Sequence, residues 1–185
     1  MAEFFIEIGC EEIPALMIPE SLAEGKTILD KMLADFSINR AETGCYSSPT
    51  RLVYVIPQLD DKESDQTVRM EGPPKRVCLD ENGTPTRALE GFLKKTGLRP
   101  ADIRYEPGKT GDIAVADVFV PGRTTKDILE QVLPELLKRI PFRKNMRWGD
   151  RDTRFVRPVR WICALLNGKP VQLSFAGVDA GDTTR

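Results

Sequence analysis

The sequence predicts an α+β fold, in which strands and helices mix without strict alternation. Three observations carry that expectation. Glu3 to Gly9 alternates with period two, placing Phe4, Ile6 and Ile8 on one face and Glu7 on the other, the signature of a half-buried strand. Thr125 to Ile140 carries Ile128, Leu129, Val132, Leu133, Leu136, Leu137 and Ile140 at helical spacing. Asn167-Gly168 sits between two apolar runs, Val159–Leu166 and Val171–Phe175, a strong hairpin signal.

The remaining elements follow in order. Gly9 ends the first strand, and Pro14 and Pro19 precede a helix whose face is marked by Leu22, Leu29, Met32, Leu33 and Phe36. Thr50 to Pro57 contains Leu52-Val53-Tyr54-Val55-Ile56, a β-prone run. Residues 60–67 are polar and acidic and read as a connector, after which Gly72-Pro73-Pro74 forces an extended turn. Thr84-Pro85-Thr86 opens a second helix bearing Ala88, Leu89, Phe92 and Leu93, which Gly97 closes. Strands are expected near Ile103–Glu106 and Ile113–Val120, with a turn over Lys109–Asp112. Pro141 stops the long helix, and Pro134 is expected to kink or split it. The domain reading is therefore a strand-helix-strand unit over 1–59, a connector over 60–67, and a second α+β unit over 68–185 that ends in the hairpin.

Composition narrows the function. An apolar fraction of 41% and a charged fraction of 30% belong to an ordinary globular chain. No apolar run approaches the ~20 residues of a membrane span, and Glu3, Glu7, Glu11 and Glu12 interrupt any export signal. A cytoplasmic protein with no membrane partner is expected. The four cysteines are scattered and the chain has no histidine, so no zinc site is expected. The same lack removes Ser-His-Asp and Cys-His hydrolysis within the chain. Adjacent carboxylates such as Glu11 and Glu12 give poor support to acid/base catalysis, because neighbours on a strand face opposite ways, and the near pair Asp150 and Asp152 is the weak remaining candidate. There is no GxxxxGK[ST] or GxGxxG, hence no nucleotide cradle.

The densest candidate segment is Pro141 to Arg160. It holds Arg143, Lys144, Arg147, Arg151, Arg154, Arg157 and Arg160 against Asp150 and Asp152, a local balance of +5 in a chain of net charge −1. Trp148 and Phe155 lie among these cations. Arginine forks hold phosphates and stack on bases, and aromatic rings stack on unpaired bases, so RNA contact is one reading. Internal ion pairing is the other, with the acidic first strand as partner, and charge by itself does not separate them. Arg51 at the start of a strand and Lys75-Arg76 on a loop are weaker RNA candidates. Glu11-Glu12 reads as acids near a helix N-terminus.

Taken in order, EIGCEEIPA, SPTRLVYVI, MEGPPKRV, GTPTRALEGFLKKTGL, PFRKNMRWGD, RFVRPVRWICALL and AGVDAGDTTR resemble the N-terminal part of the bacterial glycyl-tRNA synthetase β subunit. The resemblance spans essentially the whole chain. One departure is Cys10, where the family usually has threonine, so an essential hydroxyl is not expected there. The resemblance implies a non-catalytic region for tRNA recognition or assembly, within a class II enzyme that attaches glycine to tRNA-Gly at the expense of ATP. It implies an α2β2 heterotetramer whose α subunit holds ATP and Mg, and a second unit of this chain that is incomplete at its C-terminus. A catalytically inactive fragment with no cofactor, metal or catalytic residue of its own is expected. The alternative is a structural module at the subunit interface without RNA contact.

Overall fold

The structure, a computed structural model, describes residues 1–80, 83–108, 111–149 and 152–185. It confirms a mixed α+β fold, and the chain divides into two compact units. One comprises 1–64 and 123–185, and the other 65–122. The second unit is thus an insertion, which differs from the expected division into 1–59 and 68–185. The cause lies in the first strand, β1 (Ala2–Cys10), which has two edges to satisfy. One edge pairs antiparallel with β3 (Arg51–Leu59) and the other with β7 (Val159–Leu166). The C-terminal hairpin therefore completes the sheet that the N-terminus begins.

In the first unit the strand path is β2-β3-β1-β7-β10-β9, with β8 also paired to β7. Here β2 is Gly44–Ser48, β8 Lys169–Pro170, β9 Ser174–Phe175 and β10 Val178–Gly181. The Asn167-Gly168 turn forms, with φ of 50° and 70°. Of the expected strand Val171–Phe175 only Ser174–Phe175 is strand, as β9, and the residues that pair with β7 across the turn are those of β8. One sheet face carries Phe4, Ile6, Ile8, Leu52, Tyr54, Ile56, Ile162 and Ala164, all buried in one core with helices α1 (Ile18–Ala34) and α3 (Thr125–Arg139). Helix α1 contributes Leu29 and Leu33, and its Gly25 lies where a side chain would strike the Tyr54 hydroxyl.

Helix α3 runs unbroken past Pro134, contrary to the expected split. The proline forfeits one backbone bond, but Leu129, Val132, Leu133, Leu136 and Leu137 bury on both sides of it and keep the helix continuous. Thr124 caps the helix, its hydroxyl accepting from the Asp127 N–H at 3.2 Å.

The inserted unit is a three-stranded antiparallel sheet of order β4-β6-β5, with β4 Gln66–Pro74, β5 Arg104–Gly108 and β6 Gly111–Val120. Helix α2 (Arg87–Thr96) packs Leu89 and Phe92 against Cys78, Ala114 and Ala116. Gly72 allows Phe92 to approach the strand, since a Cβ there would sit 2.8 Å from the ring. Gly97, at φ 70°, closes the helix as expected. The Gly72-Pro73-Pro74 segment, expected as a turn, is the end of edge strand β4. Its prolines fall where the register with β6 shifts between Glu71 and Pro74.

Candidate nucleic-acid interface

The sequence-predicted cations divide between the two units. Lys75 and Arg76 lie in the inserted unit, where Lys75 Nζ stands 3.6 Å from the Asp112 carboxylate and 5.3 Å from the centre of the Tyr105 ring. Arg151 and Asp150 fall outside the described residues. The others belong to the first unit and separate into two groups.

The first group surrounds the loop that follows α3. Met146 and Phe155 exchange both backbone hydrogen bonds, at 2.8 and 3.2 Å. Phe155 is buried and meets Phe142 and Phe175 edge to face at 5.0 and 5.7 Å. This aromatic anchor fixes the loop while its cations point outward. The side chains of Arg143 and Arg147 are 70% and 54% exposed. Arg143 Nε donates to Glu20 in the first turn of α1 at 3.0 Å, and Arg147 lies 3.6 Å from Asp152. Lys144 and Arg154 are exposed. Arg157 Nε donates to the Glu12 carbonyl at 2.9 Å, tying the loop to the turn after β1. A cleft of about 220 Å³ opens here, lined by Pro14 and Met17 on one side and Lys144, Met146, Val156 and Arg157 on the other. Trp148, a predicted stacking platform, instead packs partly against the core.

The second group lies on the sheet face opposite the helices. Register places Arg51, Gly9 and Trp161 side by side, with Val53, Glu7 and Cys163 in the next row. Glu7 is 5% exposed, a charge that requires partners. Its Oε1 accepts from Trp161 Nε1 and from the Thr184 hydroxyl, both at 2.6 Å, and its Oε2 lies 3.8 Å from Arg51 Nη1. The Arg51 guanidinium stands 5.6 Å from the Trp161 ring centre. Gly9 is required because a Cβ there would overlap the indole. Arg160 pairs with Glu11. Arg51 also donates to the Arg185 carbonyl.

The expected pairing of arginines with the acidic first strand is present in Arg51 with Glu7 and Arg160 with Glu11, whereas the sequence assigns Gly9, Trp161 and Thr184 no part in this face. The signal was present in the alternation of β1, which places an acid and a glycine on one face, but their partners lie more than 150 residues away. Burial, then the Glu11 charge, pushes Cys10 up to about 12 against an opposing pull from Arg157. Burial, then Glu7 and Asp182, raises Cys163.

A family model described as "Glycyl-tRNA synthetase beta subunit" matches residues 4–185 of this chain. The chain belongs to that family. The glycine–tRNA ligase beta subunit of Geotalea uraniireducens is 38% identical over 183 residues, covering 99% of this chain and 27% of that protein. The namesake from Geobacter metallireducens is 37% identical over 185 residues, with 100% and 27% covered. That from Syntrophus aciditrophicus is 32% identical over 183 residues, with 99% and 26% covered. The chain thus spans about a quarter of the length of these glycyl-tRNA synthetase β-subunit relatives.

Proposed function

We propose that this chain is the N-terminal tRNA-handling part of a glycine–tRNA ligase β subunit. In this reading it acts in the cytoplasm within an α2β2 assembly, and the α subunit carries the class II centre with its ATP and Mg. The isolated chain would then activate no glycine. The observation that carries RNA contact is the exposure of Arg143, Arg147 and Arg160, at 70%, 54% and 61% of their side chains, on a loop and strand anchored by Phe155 and Trp161. Pairing with Glu20, Asp152 and Glu11 does not remove these groups from use. Exposed ion pairs contribute only ~0–1 kcal/mol, and a phosphate offers the guanidinium an equivalent acceptor.

A second reading, a subunit-interface module without RNA contact, draws support from the second group. There Arg51 lies beside the buried Glu7 carboxylate, and in the loop group Arg157 already donates to a backbone carbonyl. The two readings separate in a tRNA-Gly binding series across salt concentration, with an unrelated tRNA as control. RNA contact predicts binding that weakens steeply with salt, and Arg147→Glu reduces both affinity and salt slope while the circular dichroism melt stays unchanged. Absence of binding at low salt by the folded chain refutes RNA contact and leaves the interface reading.

A further inference from the structure

The cleft beside the loop has a composition that duplex binding does not explain. Its walls are apolar: Pro14 and Met17 from the short turn before α1, and Met146 and Val156 from the two arms of the anchored loop. Met146 is 39% exposed, and Leu16 on the same turn is 87% exposed, so apolar surface is presented to solvent at this point. Cations stand at the same opening, with Lys144 and Arg157 in the lining and Arg143 and Arg147 next to them in sequence. The Asn145 amide, also in the lining, offers both a donor and an acceptor. A uniform phosphate-binding surface needs no such pocket, because phosphates are met by exposed cations on a convex or flat face.

At about 220 Å³ the space lies below the ~300–1,000 Å³ typical of small-molecule sites, so it suits one ring system rather than a whole nucleotide cofactor. RNA is read for sequence mainly where unpaired bases can be splayed out and packed against side chains, with backbone contacts to cations alongside. Thioethers pack well on aromatic edges and faces. We infer that the cleft between the Ala15–Met17 turn and residues 144–146 and 156–157 takes a single unpaired nucleotide of the bound RNA. Its base lies between Met17 and Met146 within reach of Asn145, and its phosphates lie on Lys144 and Arg157. An acidic or aromatic side chain of a protein partner is the competing occupant. The cationic rim favours RNA because every nucleotide brings a phosphate beside its ring.

This occupancy presupposes the RNA contact proposed above, and the experiment separates failure of one from failure of the other. Anisotropy titrations of the full chain would use a single-stranded oligonucleotide and a blunt duplex of the same sequence. Met146→Ala and Asn145→Ala are expected to weaken single-strand binding by about fivefold or more and to leave duplex binding unchanged. Lys144→Ala is expected to weaken both and to lower the salt slope by about one. Both variants binding single strand like the parent chain, while that chain binds both RNAs, overturns the nucleotide pocket and leaves RNA contact standing. No binding of either RNA by the parent chain overturns both. Asn145 is exposed, so its variant reads out binding even where Met146→Ala loosens the loop. As a second measurement, a thiouridine-substituted oligonucleotide should crosslink to the turn or to residues 144–146. Protection of Met146 from oxidation by α subunit and not by RNA assigns the cleft to a protein partner and refutes the inference.

Discussion

Replacing Gly9 with alanine tests whether the outer sheet face is organised by Trp161. Glycine in a strand interior costs roughly 0.5–1 kcal/mol relative to alanine, so propensity alone predicts stabilisation. The geometry predicts the opposite. A methyl at Gly9 falls within the indole of Trp161, on strand atoms that are paired on both edges and have no room to withdraw. The ring must lift, and overpacking of this kind costs ~1–3 kcal/mol. Lifting it also breaks the 2.6 Å bond to the buried Glu7 carboxylate, of a type worth ~1.5–3 kcal/mol, and the contact with Arg51. Because Trp161 is half-buried and can swing partly into solvent, the net expectation is a loss of about 2 kcal/mol, or about 4–8 °C in melting temperature. Circular dichroism melts and urea unfolding of Gly9→Ala, Trp161→Ala and the double variant provide the assay. In the Trp161→Ala background the methyl has nothing to strike, so Gly9→Ala should become neutral or stabilising, giving a coupling of about 2 kcal/mol. An equal loss in both backgrounds would show that backbone strain rather than the indole is responsible, and would refute the reasoning.

Two further perturbations probe the interior and the root of α3. The Tyr54 hydroxyl is buried and has no hydrogen-bond partner among the described residues, and burial raises its pKa. Tyr54→Phe should therefore leave the unfolding free energy from urea titration unchanged or raise it by up to about 1 kcal/mol, and a loss of that size would reveal an acceptor for the hydroxyl. Arg123 lies over the Phe36 ring and donates to Glu63 at 3.1 Å, which holds the Glu63 carboxyl below its ordinary value. A depressed carboxyl pKa stabilises the fold above the unfolded value, and that contribution disappears as pH falls through the folded one. Arg123→Gln should thus lower the urea midpoint at neutral pH, with the gap from the parent chain narrowing below about pH 4.5. A gap independent of pH would assign the effect to the ring contact alone.

The parts legible in the sequence were those whose pattern is local. The alternation in β1, the apolar stripe of α3, the Tyr54 strand and the Asn167-Gly168 turn each announce themselves within a dozen residues. Strand β2, Gly-Cys-Tyr-Ser-Ser, is silent in the sequence because an edge strand with one half-buried face has no apolar run to display. Strand β4 has the sequence pattern of a connector and a turn for the same reason, its solvent side being Thr67, Arg69 and Glu71. The division into units was invisible because it depends on β7 finding β1 across the whole chain, a pairing that no local window contains. Arg160 and Glu11 were both conspicuous as charges, but only the fold places them together.

That distinction between local signal and long-range partner also decides how the arginines are to be weighed. An arginine whose carboxylate partner is buried cannot be lent to a phosphate without leaving that carboxylate uncompensated, which costs several kcal/mol. Arg51 beside Glu7 is the closest case, though the Trp161 and Thr184 hydrogen bonds carry much of that burden. Arg143 and Arg147 face Glu20 and Asp152, whose side chains are 59% and 101% exposed and rehydrate at little cost when the cation leaves. The loop group is therefore the one whose cations exchange readily between protein and phosphate. The sheet-face group is the one whose removal should first be felt in stability. A charge reversal at Arg147 that unfolded the chain, or one at Arg51 that left its melt untouched, would invert this ordering.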